Sequence, residues 1–274
     1  MGYISTPKSL KIAILINTDE APYIPLFKSA YTTLFTTLSP TSTLTFYSPP
    51  SHSLPSPSEL PTYDLLVIGG GTYVVDEDTP WVVEELEFMK NVLENYPDLK
   101  IVAICFGHQK LCQAFGGELG WNKAGKAEVC FLSLLPLSTS LSRCSDLISK
   151  KSIDIKQLGI ITLPLTPAGT KFFPFVSTAS LKLHELHRKE IATPAPGFMA
   201  LAENNQVCLS EGGKILTFQG HPEMSVELAK KLMESESLYT KWLSGEELGA
   251  LREGAGGVHD GLAIWRRVLE WVRE

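Results

Sequence analysis

No two cysteines of this chain stand in a CxxC pair, and the five present, Cys105, Cys112, Cys130, Cys144 and Cys208, are scattered and odd in number. A disulfide framework or a zinc site has little support, and a reducing, cytoplasmic compartment suits the thiols better. Long apolar runs are missing too. The stretch from Ile12 to Ile16 is too short to span a bilayer and has no cleavage pattern after it, so neither a membrane span nor a secretion signal is expected. Gly2 with Thr6 satisfies the short myristoylation pattern, which many unmodified chains also match. Basic residues are few: 24 Lys and Arg stand against 30 Asp and Glu, for a formal charge of -6. No basic stripe is available to neutralise a phosphate backbone, which argues against nucleic acid as a partner. No internal repeat occurs.

What remains is ordinary globular usage, 44% hydrophobic and 20% charged over 274 residues, enough for one domain with a substantial core. Leu10 to Ile16 is continuously apolar and is followed by turn residues, as in a buried parallel strand. Ile24 to Leu38 has helical spacing, Thr43 to Tyr47 is strand-like, and Ser48 to Thr62 is a Pro- and Ser-rich surface loop. Asp64 to Gly71 reads as a strand ending in glycines, Trp81 to Tyr96 as an amphipathic helix and Lys100 to Cys105 as a third strand. This alternation predicts an α/β fold with a doubly wound, mostly parallel sheet and flanking helices, flavodoxin-like in type. Further on, Ala127 to Leu134, Lys171 to Ser177, Gly197 to Ala202, Gln206 to Ser210 and Lys214 to Gln219 read as strands, and Ser225 to Glu236 as a helix. The final helix places Leu262, Trp265, Leu269 and Val272 on one face. The expected organisation is a single domain over 1–274, with a core over about 10–236, an insertion over about 135–172 and a helical extension over about 238–274.

Chemistry concentrates at KIVAICFGHQKLCQAFGG, where Cys105 follows a buried strand and opens a helix. A sharp strand-turn-helix elbow of this kind presents a nucleophile at the carboxyl end of the sheet, and small neighbours such as Ala103 and Gly107 permit it. The helix start favours a thiolate, which matters because a free thiol is only a few per cent ionised at neutral pH. In TFQGHPE, His221 and Glu223 lie two apart after another strand, so both side chains project to the same side. Glu223 can then orient one imidazole nitrogen while the other faces the thiol, completing a nucleophile, base and orienter set. Alone, a His and a Glu two apart would more often be a solvated pair; beside the elbow they gain meaning. The other four cysteines read as buried structural thiols.

These motifs resemble the class I glutamine amidotransferases, whose elbow G-[IV]-C-x-G-x-Q and later H-P-E are matched by AICFGHQ and GHPE, with Ala103 in place of the usual Gly. The resemblance implies a Cys105, His221 and Glu223 triad, with Gln109 helping to hold the γ-glutamyl group. It also implies that the glycine loop of VIGGG contributes Gly70 to the substrate site and the Gly71 amide, with that of Phe106, to an oxyanion hole. LHELHRKE resembles the family's H-x-D-x-V stretch, with His187 at the His position and Lys189 replacing the Asp. The similarity runs from about Leu10 to Glu236, covers 135–172 poorly, and matches nothing after Leu238; a standalone unit with no synthetase module is expected. It is similar to standalone members, GMP-synthase-like proteins and plant γ-glutamyl peptidases among them. The activity implied is hydrolysis of a γ-glutamyl amide, glutamine to glutamate plus ammonia, through a γ-glutamyl thioester, with no metal or organic cofactor. A separate synthase would receive the ammonia. The alternatives are a γ-glutamyl peptidase acting on glutathione-like compounds, a non-catalytic binding or regulatory protein, and a DJ-1 or PfpI type enzyme using Glu20.

Overall fold

The computed structural model describes residues 9–73, 79–121, 159–187, 189–234 and 244–274. Its centre is a seven-stranded sheet. In order across the sheet lie β2 (Thr43–Tyr47), β1 (Lys11–Asn17), β3 (Leu65–Gly71), β4 (Lys100–Ile104), β11 (Ile215–Phe218), β10 (Val207–Ser210) and β9 (Phe198–Ala200). The first five pair in parallel, and β10 and β9 extend the sheet antiparallel. Two antiparallel pairs stand apart: β5 (Glu118–Trp121) with β8 (Lys189–Thr193), and β6 (Gly159–Pro164) with β7 (Ser180–Glu185). The expected doubly wound, mostly parallel α/β architecture is what forms.

A parallel strand covered on both faces must be apolar at consecutive positions, which is why β1 reads as a run. Ile12, Ile14 and Ile16 enter one core, and Ala13 and Leu15 the other. The first core is closed by α1 (Ile24–Leu38), α5 (Val226–Leu232) and α7 (Gly261–Arg273), the second by α2 (Pro80–Asn95) and α3 (Phe106–Ala114). Trp265 of α7 is completely buried, edge-on to Phe35 at 5.2 Å and to Tyr31 at 6.4 Å. Residues beyond 238 therefore supply part of the core: α6 (Gly245–Gly254) adds Leu251, and α7 adds Ile264, Trp265, Val268 and Leu269. None of the described helices is long and apolar enough to cross a membrane.

Several expectations need correction. Lys171 to Ser177 is not a strand; α4 (Pro167–Phe172) occupies its start. The cause lies just upstream, where the Thr166 hydroxyl accepts from the Gly169 amide at 3.1 Å and Pro167 sits at the first helical position, a helix start stronger than the β preference of the following phenylalanines. Leu262 does not share the buried face of α7. It is 45% exposed, because the apolar stripe is centred on Ile264, Trp265 and Val268. The helix expected to Glu236 ends as a helix at Leu232. Of the expected insertion, 159–172 forms β6 and α4, while 135–158 and the expected strand Ala127 to Leu134 lie outside the described residues.

Candidate active site

Cys105 lies between β4 and α3 with φ 48° and ψ -99°. Such a backbone is unfavourable for a residue with a Cβ by roughly 1–3 kcal/mol and persists only where the surroundings impose it. Here its amide donates to the Phe218 carbonyl at 2.7 Å and its carbonyl accepts from the Gln109 amide at 3.0 Å. Gly107 lets the helix press against β3, since a Cβ there would lie 2.5 Å from the Ile68 carbonyl oxygen. The elbow is thus clamped between β3, β11 and its own helix, with the thiol 5% exposed.

His221 and Glu223 follow β11, which lies next to β4 and so carries them to the same end of the sheet. The Glu223 Oε1 oxygen is 2.8 Å from His221 Nδ1, and both side chains are buried. The His221 amide also donates to the His184 carbonyl at 2.9 Å, fixing the loop to β7. Burial works against a proton on His221, but the Glu223 carboxylate and the neighbouring Cys105 sulfur outweigh it and hold the imidazole well above its ordinary pKa. The three residues expected to form the triad are therefore brought together. Gly70 lies against them, because a Cβ there would be 2.8 Å from His221 Cε1 and 3.6 Å from Cys105 Cβ. Gly71 ends β3 as the partner of Asn17, close to Phe106, the first residue of α3.

Gln109 is buried and points back into the protein: its Nε2 donates to the Lys189 carbonyl at 2.7 Å and to Gln219 Oε1 at 3.0 Å. Lys189 accordingly enters the site through its backbone. The same carbonyl is 2.9 Å from His187 Nδ1. The carboxylate beside His187 comes instead from Glu185, whose Oε2 is 3.2 Å from Nε2. Glu185 and Gln219 were not singled out from the sequence. The period-2 alternation Leu181, Leu183, Glu185, His187 is the signal that could have placed Glu185 on the inner face. Glu20 is exposed, and its carbonyl accepts from the Tyr23 amide at the start of α1.

A buried cysteine on a strained elbow, with a buried His and Glu in the loop after the adjacent parallel strand, is an arrangement suited to nucleophilic hydrolytic chemistry. The comparisons make this narrower. The chain belongs to the glutamine amidotransferase class-I family, whose model matches residues 43–240. It is 34% identical to the glutamine amidotransferase-like protein chyE of Penicillium rubens, over 97% of this chain and 98% of that one. It is 31% identical to the glutamine amidotransferase-like protein chry6 of Gibberella zeae, over 98% and 97% of the two chains. A more distant relative, gamma-glutamyl peptidase 3 of Arabidopsis thaliana, is 26% identical over 66% of this chain and 67% of its own. A glutamine amidotransferase crystal structure from Thermotoga maritima shares the fold, with a TM-score of 0.68 at 17% identity, covering 97% of this chain and all of that one.

Proposed function

We propose that the protein hydrolyses a γ-glutamyl amide, glutamine in the first instance, through a Cys105, His221 and Glu223 triad. The observation that carries this is the buried Glu223–His221 pair set beside a cysteine whose backbone is held in a strained elbow. The Cys105 thiolate adds to the amide carbonyl carbon, and the resulting alkoxide is held by the Gly71 and Phe106 amides. The Phe106 N–H, at the first position of α3, has no partner within its own helix, and the dipole there suits negative charge. The C–N bond breaks as the His221 imidazolium gives its proton to the departing nitrogen, leaving a γ-glutamyl thioester and neutral imidazole. His221 then takes a proton from water, hydroxide adds to the thioester, and the proton returns to sulfur as glutamate leaves. Glu223 keeps the imidazole oriented throughout. In this reading Gly70 and His187 border the γ-glutamyl site, and Gln109 supports it from behind through the Lys189 carbonyl that also meets His187.

Ammonia released in this way would pass to a separate synthase in the cytoplasm. The second reading is a peptidase that frees an amine from glutathione-like compounds, favoured by the relatedness to the Arabidopsis gamma-glutamyl peptidases. Purified protein and Cys105→Ser would be incubated with glutamine and with glutathione, following ammonia, glutamate and free amine. Turnover by the native chain and none by the variant is expected. Release from glutathione alone would assign the peptidase reading. No turnover of either substrate, with no mass added to Cys105 by an electrophilic glutamine analogue, would overturn the catalytic proposal.

A further inference from the structure

We infer that Gln219 holds the Cys105 sulfur in its reactive form by donating a side-chain N–H to it, a polar contact additional to His221. The inference rests on Cys105 being the nucleophile. Gln219 is completely buried, its amide is anchored on the Gln206 carbonyl at 2.8 Å, and its Nε2 lies 3.7 Å from Cys105 Sγ.

Side-chain amides can be turned end for end, so the donor must be argued from the network. A backbone carbonyl only accepts. The Lys189 carbonyl, 2.7 Å from Gln109, therefore fixes the nitrogen of that amide toward it. The second hydrogen of the same nitrogen is directed at Gln219, 3.0 Å away, which must present its oxygen. Its own nitrogen is then turned to the sulfur. In the thiol form, Cys105 can donate to the Leu186 carbonyl, 3.9 Å away. In the thiolate form that carbonyl offers nothing, while Gln219 offers a donor whose orientation is already set. Each protonation state has its own partner, and the shorter contact serves the thiolate.

The titratable groups packed around this contact are His221 and Glu223 after β11, His184, Glu185 and His187 on and after β7, and Tyr31 on α1. Gln219 is set apart from them by having no charge to lose. Its capacity to donate is the same at every pH, so any pH dependence of the contact comes from the sulfur.

The test is alkylation of Cys105 by iodoacetamide as a function of pH, with Cys105→Ser as the background for the other four cysteines. Gln219→Met removes the donor at similar length, and Gln219→Leu removes it in a shorter, branched side chain. With folding verified by thermal unfolding, both should slow alkylation at neutral pH by about tenfold, on the scale of one hydrogen bond to a charged group, and displace the pH–rate profile toward alkali. Profiles that coincide with the native one would overturn the inference. Should neither variant fold, the Gln219 side-chain amide resonance of the native protein decides: it must move as Cys105 titrates, and a stationary resonance refutes the bond. Alkylation needs no substrate, so failure to hydrolyse glutamine leaves this test intact. A native Cys105 inert to iodoacetamide at every pH removes the nucleophile assignment and this inference with it.

Discussion

His221 is buried among groups that would keep an isolated imidazole neutral, and the Glu223 carboxylate 2.8 Å from Nδ1 is the strongest influence in the other direction. In the proposed reaction the protonated imidazole is the acid that the leaving nitrogen needs, so the carboxylate would act on that reaction through the histidine. In Glu223→Gln the size and one hydrogen bond are retained while the charge is lost. Burial then dominates, the imidazole gives up its proton at lower pH, and the thiolate loses its counter-charge. Ammonia release from glutamine should fall by about 10²- to 10⁴-fold at neutral pH, the range lost when an acid-base group or its orienter is disabled. A variant rate within threefold of the native one would show that Glu223 only fills space. Cys105, His221 and Glu223 were legible in the sequence because each sits in a short local pattern, strand-Cys-helix or strand-His-x-Glu. Gln219 and Glu185 were not, since the one matters only when β11 lies against β4, and the other only when β7 turns its inner face to the site.

At the scale of elements, the strands were readable wherever both faces are covered, because burial on both sides forces continuous apolar runs such as KIAILIN and LLVIGGG. The short antiparallel β5 and β8 lack that signature: Lys189 and Glu190 begin β8, and pairing with β5 rather than composition makes the segment a strand. The terminal helix α7 was readable as amphipathic, but not its role, because no sequence pattern states which core a helix covers. The structure sets Trp265 between Tyr31 and Phe35 of α1, so α7 closes the core that also contains β1 and β4 residues below the elbow. Trp265→Ala would leave a large cavity with little freedom to collapse, and should cost about 3–5 kcal/mol of stability. Chemical denaturation would read this as a lower midpoint at unchanged slope. A midpoint unaltered by the substitution would mean that α7 is not part of the cooperative unit.

For the whole molecule, three buried groups outside the proposed triad set opposing dependences of stability on pH. His108 on α3 and His184 on β7 are both pushed down to about 3, chiefly by burial, with neighbouring histidines adding to it. Below 6.5 an unfolded chain takes up protons at these sites that the folded chain refuses, so the stability they carry is present above that pH and is lost as pH falls toward 3. Glu85 on α2 runs the other way. Burial raises it to about 8 despite Asn17 and Lys110, which act in the opposite direction. A carboxyl kept neutral in the folded state holds its proton when the unfolded chain has released it, so stability is present below about 4.5 and declines as pH rises through 8. Between 4.5 and 6.5 two histidines act against one carboxyl and stability rises with pH; above 6.5 Glu85 acts alone among these three and it falls. His221, held well above its ordinary value, adds to the alkaline decline, because its proton is retained only in the folded chain. Thermal unfolding followed from pH 4 to 9 should therefore peak near pH 6.5. Glu85→Gln, which cannot ionise, should flatten the alkaline limb, gaining on the native protein from pH 5 upward and by roughly 5 kcal/mol well above pH 8. An alkaline limb that stays as steep in this variant would place the decline on His221 instead.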